Sequence, residues 1–99
     1  MARARAISEL PAVRAEVAEA TKAFPRARQA YEALKWELAR DPHPPGSLWV
    51  SGPKNPLLVY RQAGSNQPPV PAIEVFYVLP DDDHLEIAAV RFFEPRVGL

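Results

Sequence analysis

The sequence predicts an α+β domain in which an N-terminal helical hairpin packs on a small antiparallel sheet of three to four strands. Three observations predict it. Apolar side chains recur at helical spacing from Leu10 to Leu38, and they alternate with a period of two from Ile73 to Leu79 and from His84 to Phe93. Prolines separate the segments, five of the twelve lying between Asp41 and Pro56. Neither amphipathic helix can bury its stripe alone, so a sheet must supply the opposing layer. A chain of 99 residues suits one domain spanning 1–99.

The first helix is expected over 9–24, with Leu10, Val13, Val17, Ala20 and Phe24 on one side and Arg14, Glu16, Glu19 and Lys22 on the other. Ser8 has the chemistry of an N-cap, and Pro11 falls in the first turn, where a missing N–H costs little. Pro25 disfavours the α conformation at Phe24 and ends the helix there. A second helix follows from about Pro25 to Arg40, carrying the stripe Ala27, Ala30, Tyr31, Leu34 and Leu38. Arg28 and Glu32 sit four apart, the spacing of an exposed ion pair. Trp36 breaks the pattern, lying about 200° around the helix from Leu34 on the charged side. Either a loop of its own chain covers it, or it anchors a partner.

Residues 41–56, DPHPPGSLWVSGPKNP, read as an ordered connector in which Leu48-Trp49-Val50 is a short strand or a core plug. His43 reads as an exposed loop residue. Leu57 to Arg61 is a strand, and GSNQPPVP, residues 64–71, is a loop whose prolines cannot donate ladder hydrogen bonds. Ile73 to Leu79 sets Ile73, Val75, Tyr77 and Leu79 against Glu74, Phe76 and Val78. In the last strand, strict alternation sets Leu85, Ile87, Ala89, Arg91 and Phe93 against His84, Glu86, Ala88, Val90 and Phe92. Pro80 and Pro95 bound this hairpin. At the N-terminus, residues 2–7 alternate as an edge strand would, but alanine is a poor strand former, so an edge strand there stays undecided.

The run Asp81-Asp82-Asp83-His84 raises the question of a metal or catalytic cluster. Proline followed by aspartates is turn chemistry, since Asp bonds its own backbone and tolerates left-handed φ. Successive side chains in a turn also point apart and do not converge on an ion. The run is therefore read as a hairpin tip, with no metal and no cofactor expected. The chain has no cysteine, and no glycine-rich phosphate loop, Gly-x-Ser-x-Gly or His-Glu-x-x-His stands in it. No apolar run reaches membrane-span length and Met1 to Ala6 is too short to be targeting, so a cytoplasmic protein is expected.

Formal charge is zero, twelve basic against twelve acidic residues. Residues 1–45 carry eight basic and six acidic side chains (net +2), and residues 46–99 carry four and six (net −2). Direct nucleic-acid binding is disfavoured, because such proteins concentrate Lys and Arg on one face.

Two stretches carry a family resemblance: ALKWELARDPHPPGSLWV, residues 33–50, where a helix runs into a Pro-Gly turn, and IEVFYVLPDDDHLEIAAV, residues 73–90, a tyrosine-bearing strand, acidic turn and final strand. Together with the preceding helical hairpin, this arrangement resembles the RelE/ParE toxin superfamily over roughly residues 9–93. The resemblance implies a small cytoplasmic toxin of a type II toxin–antitoxin pair, bound by a cognate antitoxin. RelE-like members are metal-independent endonucleases acting on messenger RNA at the ribosome, and ParE-like members inhibit DNA gyrase. It also implies an initial edge strand.

The sequence departs from the nuclease branch. Phosphodiester cleavage without a metal needs cations to stabilise developing charge and a group to move a proton. The tyrosine strand here starts Pro71-Ala72-Ile73-Glu74, without the arginine the nucleases place there, and the tail after the last strand is not rich in His or Arg. Lys54, Arg61 and Arg91 are the remaining catalytic candidates. Arg91 interrupts an apolar strand face and is either functional or a snorkelling strand end. The expected function is thus a toxin of the gyrase-inhibitor-like or degenerate kind rather than an active mRNA nuclease. The alternative is a non-enzymatic α+β interaction module, in one version homodimeric through the edge of the last strand. Trp36, Phe92 and Phe93 are its candidate partner-binding residues.

Overall fold

Before the first helix, the chain forms a short strand, β1 (Ala6–Glu9), that the sequence left undecided. The computed structural model describes residues 4–50, 57–67 and 69–95, so Lys54 and the 51–56 part of the connector lie outside the described residues. After β1 come helix α1 (Pro11–Ala23) and helix α2 (Ala27–Arg40). Strands β2 (Leu48–Val50), β3 (Leu57–Gln62), β4 (Ser65–Asn66), β5 (Pro69–Val70), β6 (Ala72–Asp81) and β7 (His84–Phe93) complete the order.

The two helices pack on a five-stranded sheet of order β1-β7-β6-β3-β2, and β4 and β5 make a separate two-stranded hairpin. The expectation of three to four antiparallel strands is corrected here: β1 lies parallel to β7, so the sheet is mixed. A parallel pairing is invisible to local pattern, since the partners are separated by the whole helical layer. Arg5 fastens β1 at one end by donating to the Asp81 carbonyl at 2.7 Å.

Ser8 is not the cap of α1. It sits in β1 opposite Glu86, and Leu10 occupies the N-cap position without a side-chain bond. Pro11 starts the helix because its fixed φ suits the first turn. α2 begins at Ala27 rather than Pro25, which stays in the turn with Arg26. Glu32 takes Lys35 as its ion partner, at 3.1 Å, rather than Arg28.

The core forms where the helical stripes meet one face of the sheet. Val13, Val17, Tyr31, Leu34 and Leu38 pack against Leu58, Ile73, Val75, Tyr77, Leu85, Ile87 and Val90. Burying a Leu or Val side chain is worth about 1.5–3 kcal/mol each, which makes this the main source of stability. The Tyr77 hydroxyl reaches through the layer to donate to the Pro42 carbonyl at 2.6 Å, pinning the connector after α2. Burial pushes that phenol up to about 12.

The β6–β7 hairpin contains the decisive irregularity. Phe76 pairs with Ala89 and Tyr77 with Ile87, so Ala88 is an extra residue on β7. A one-residue slip exchanges the faces of all that follows. Leu85 and Ile87 therefore share the helix-covered face with Val90 and Phe92, while Ala89, Arg91 and Phe93 turn to the other. Strict alternation had placed Arg91 with Leu85 and Ile87, and that assignment is corrected.

The hairpin tip has turn geometry. Asp81 Oδ1 accepts the Asp83 N–H at 2.8 Å and lies 2.8 Å from His84 Nδ1. The His84 ring and the Asp83 N–H hold the Asp81 carboxyl below its ordinary range. β6 runs through Pro80 to Asp81, since a second register shift between Val78 and Asp81 spares Pro80 a ladder bond. Among the described residues, no helix is long and apolar enough to cross a membrane.

Candidate interaction face

Among the described residues, helices cover only one side of the sheet. The alternation in β3, β6 and the bulged β7 sends Leu57, Val59, Arg61, Glu74, Phe76, Val78, Ala89, Arg91 and Phe93 to the other. β2 extends this surface with Leu48 and Val50, which face Val59 and Leu57 across the ladder. Leu48 is 65% exposed, Phe93 46% and Val50 41%, so this side presents large apolar groups to water. Leu48-Trp49-Val50 is a strand and not a core plug. Trp49 turns to the opposite side of that strand, where its ring lies 5.6 Å from the exposed His43.

A row of charges crosses this open face. Register places Arg61 opposite Glu74 on one side and Arg91 opposite it on the other. Glu74 is 4% exposed, whereas the Arg61 side chain is 79% exposed. Arg61 Nε donates to Glu74 Oε2 at 2.5 Å. Arg91 carries its guanidinium 5.9 Å from the centre of the Phe76 ring, a cation–π position. Two of the three cationic candidates thus meet on one surface, and Lys54 lies outside the described residues.

Beside this row, a groove of about 650 Å³ is lined by Arg61, Gly64, Ala72, Glu74, Phe93 and Glu94, among others. The β4–β5 hairpin folds tightly against its rim: a Cβ on Gly64 would stand 2.3 Å from the Val70 carbonyl oxygen. Only glycine lets the backbones approach so closely.

The partner-binding candidates fall in three different places. Trp36 is 65% exposed on the outer side of α2, so no described loop of its own chain covers it. Phe92 is half-buried and packs edge-on to Tyr31 at 6.5 Å, inside the helix-facing layer. Phe93 points to the open face beside the groove. The last strand is flanked by β1 only over His84–Ile87, and Ala88–Phe93 run on beyond the end of β1.

Glu74 was missed as a candidate, although a lone acid in an apolar strand between Ile73 and Val75 is a visible signal. The exposed β2 was also missed as a surface, because an apolar triplet reads equally well as core. Chemically, the open face has two guanidinium groups, one of them already held by a buried carboxylate, amid apolar side chains. It is suited to gripping another surface. Moving a proton would need a further group, and among the described residues no histidine stands on this row. No family model, no curated protein and no solved structure matches this chain.

Proposed function

We propose that this chain is the toxin component of a RelE/ParE-like type II pair, held by a cognate antitoxin and acting as a gyrase-inhibitor-like or degenerate member rather than an mRNA nuclease. The observation that carries the non-nuclease reading is the state of the cationic row. Arg61 is already bonded to Glu74, and Arg91 lies over Phe76. A nuclease needs cations free to meet a phosphorane and a base beside them. What supports the toxin class is the element order, in which an edge strand precedes the helical hairpin as the resemblance requires, and a sheet face left open for a partner.

The test is expression in a bacterial host with growth as the readout. Arrest relieved by the product of an adjacent antitoxin gene is expected, together with inhibition of gyrase supercoiling and intact ribosome-bound messenger RNA. Unaffected growth removes the toxin reading. Cleavage of the messenger RNA that is lost in Arg91→Ala removes the non-nuclease part alone.

A second reading has its own observation. Leu48, Val50 and Phe93 are exposed together on the open face, large apolar groups of the kind an interaction module presents to a partner. In that reading the chain binds a protein partner without harming the cell, and purified protein forms a stable complex in the absence of any growth phenotype.

A further inference from the structure

A second surface lies at the opposite edge of the sheet, where β1 ends the strand order and α2 stands beside it. Backbone direction alternates along β1. Ala6 N–H donates to the Asp83 carbonyl and Leu10 N–H to the Ile87 carbonyl, both inward, while Arg5 N–H turns outward to the Ala39 carbonyl. Ile7 follows Arg5 in parity, so its N–H and C=O face away from β7, and no described strand lies beyond them. This is an open strand edge, the feature that accepts an added strand from another chain.

Next to that edge is a groove of about 220 Å³ with an apolar floor of Ile7 and Ala39 and a wall of Trp36. A second hollow of about 440 Å³ adjoins it, sharing Glu32 and Lys35. The residues lining the two include four cations, Arg5, Arg14, Arg28 and Lys35, against two carboxylates, Glu9 and Glu32. Glu9 is turned inward: it accepts a short hydrogen bond from the Tyr31 hydroxyl and meets Lys35 at 3.4 Å and Arg14 at 3.8 Å. Lys35 is spent in the same network, since it also meets Glu32 at 3.1 Å, so the cations left to the outer rim are Arg5, Arg14 and Arg28. The excess of +2 in the N-terminal half is concentrated here.

We infer that this edge docks an acidic, extended segment of a partner protein, which adds as a strand beside β1 and seats an apolar side chain against Trp36. The charge complementarity names the partner's sign. The open backbone edge and apolar floor favour a polypeptide over a nucleic acid, which has no N–H and C=O ladder to match Ile7. The inference stands apart from the toxin reading, for it rests on another surface.

The experiment uses the full chain with Trp49→Phe, leaving Trp36 as the only tryptophan reporter of the two in the sequence. A synthetic peptide alternating Glu and Val is titrated in, with a Lys-Val peptide and a short oligothymidylate in parallel. The acidic peptide shifts Trp36 emission to the blue, and its affinity falls roughly tenfold between low and high salt. Arg14→Glu with Arg28→Glu, both exposed and off the core, weakens it roughly tenfold again. Trp36→Ala, followed by calorimetry, weakens it without loss of the melting transition. Equal binding of the two peptides, indifference to Arg14→Glu with Arg28→Glu, or tighter binding of the oligonucleotide overturns the inference. None of these readouts depends on growth arrest, so this idea and the toxin reading fail separately.

Discussion

Removing Arg61 should destabilise the fold more than removing the carboxylate it serves. Glu74 is 4% exposed in the middle of a sheet and is bonded by Arg61 Nε, whose side chain is 79% exposed. Breaking a fully buried pair from one side costs about 3–5 kcal/mol, because a bare charge is left in a poor solvent. Water reaches the Arg61 end here, and Arg91 is the cross-strand neighbour on the other side, so the cost of Arg61→Ala is reduced to about 2 kcal/mol. Glu74→Leu takes the opposite course. It removes the buried charge together with its desolvation cost, and Arg61 is free to remain in water, so the change is within about 1 kcal/mol of neutral. The double variant Arg61→Ala with Glu74→Leu should return close to the Glu74→Leu value, a coupling of roughly 1–2 kcal/mol. Urea denaturation of the four proteins at neutral pH measures this, provided the m-values agree. In thermal melts the Arg61→Ala loss corresponds to roughly 8–16 °C for a domain of this size. If Glu74→Leu is as damaging as Arg61→Ala, or if the two effects simply add, the pair is an ordinary surface contact and the description of the row is wrong.

Gly64→Ala should cost about 1–3 kcal/mol, since its Cβ would stand 2.3 Å from the Val70 oxygen and 2.7 Å from the Ala72 nitrogen; amide exchange should rise at Ser65, Asn66 and Val70 before it rises in the core strands. Tyr77→Phe should lose about 1 kcal/mol by leaving the Pro42 carbonyl without its donor, read as a lower urea midpoint at unchanged m-value. Burial raises the Tyr77 phenol to about 12, so its contribution is complete below the ordinary value near 10 and is lost as pH rises from there through 12; a melt series over that window should fall in wild type and fall less steeply in Tyr77→Phe, where the Tyr31 phenol, also raised by burial, still titrates. Asp81 has the opposite sign: its carboxyl is lowered by the His84 ring and the Asp83 N–H, so the contribution is present above about pH 4 and fades as pH falls below it, first in the hairpin-tip amides, and Asp81→Asn should remove that dependence.

The alignment of elements with the sequence follows the range of the interactions concerned. The two helices were legible because a helical stripe needs only neighbours three and four residues away, and Tyr31, Leu34 and Leu38 declare their face without reference to anything distant. The hairpin tip was legible for the same reason: Asp81 bonds Asp83 two residues on. Of the candidate site, Arg61 and Arg91 were legible as isolated cations, and the long loop before β6 was readable as irregular though not as a hairpin closed around Gly64.

The pairing of β6 with β7 was legible as a hairpin, and the tertiary structure decided its register and the rest of the strand order. No local pattern announces that Ala88 is the extra residue of β7, yet that single bulge moves Arg91 from the core side to the open face and brings it opposite Glu74. Nothing in residues 4–9 announces a parallel partner at His84–Ile87, and without that pairing there is no cationic edge beside Trp36. Helix, turn and strand periodicities are written by contacts within a few residues. Register and strand order are written by competition among whole surfaces for burial, and a side chain's final face is known only when its neighbouring strand is in place.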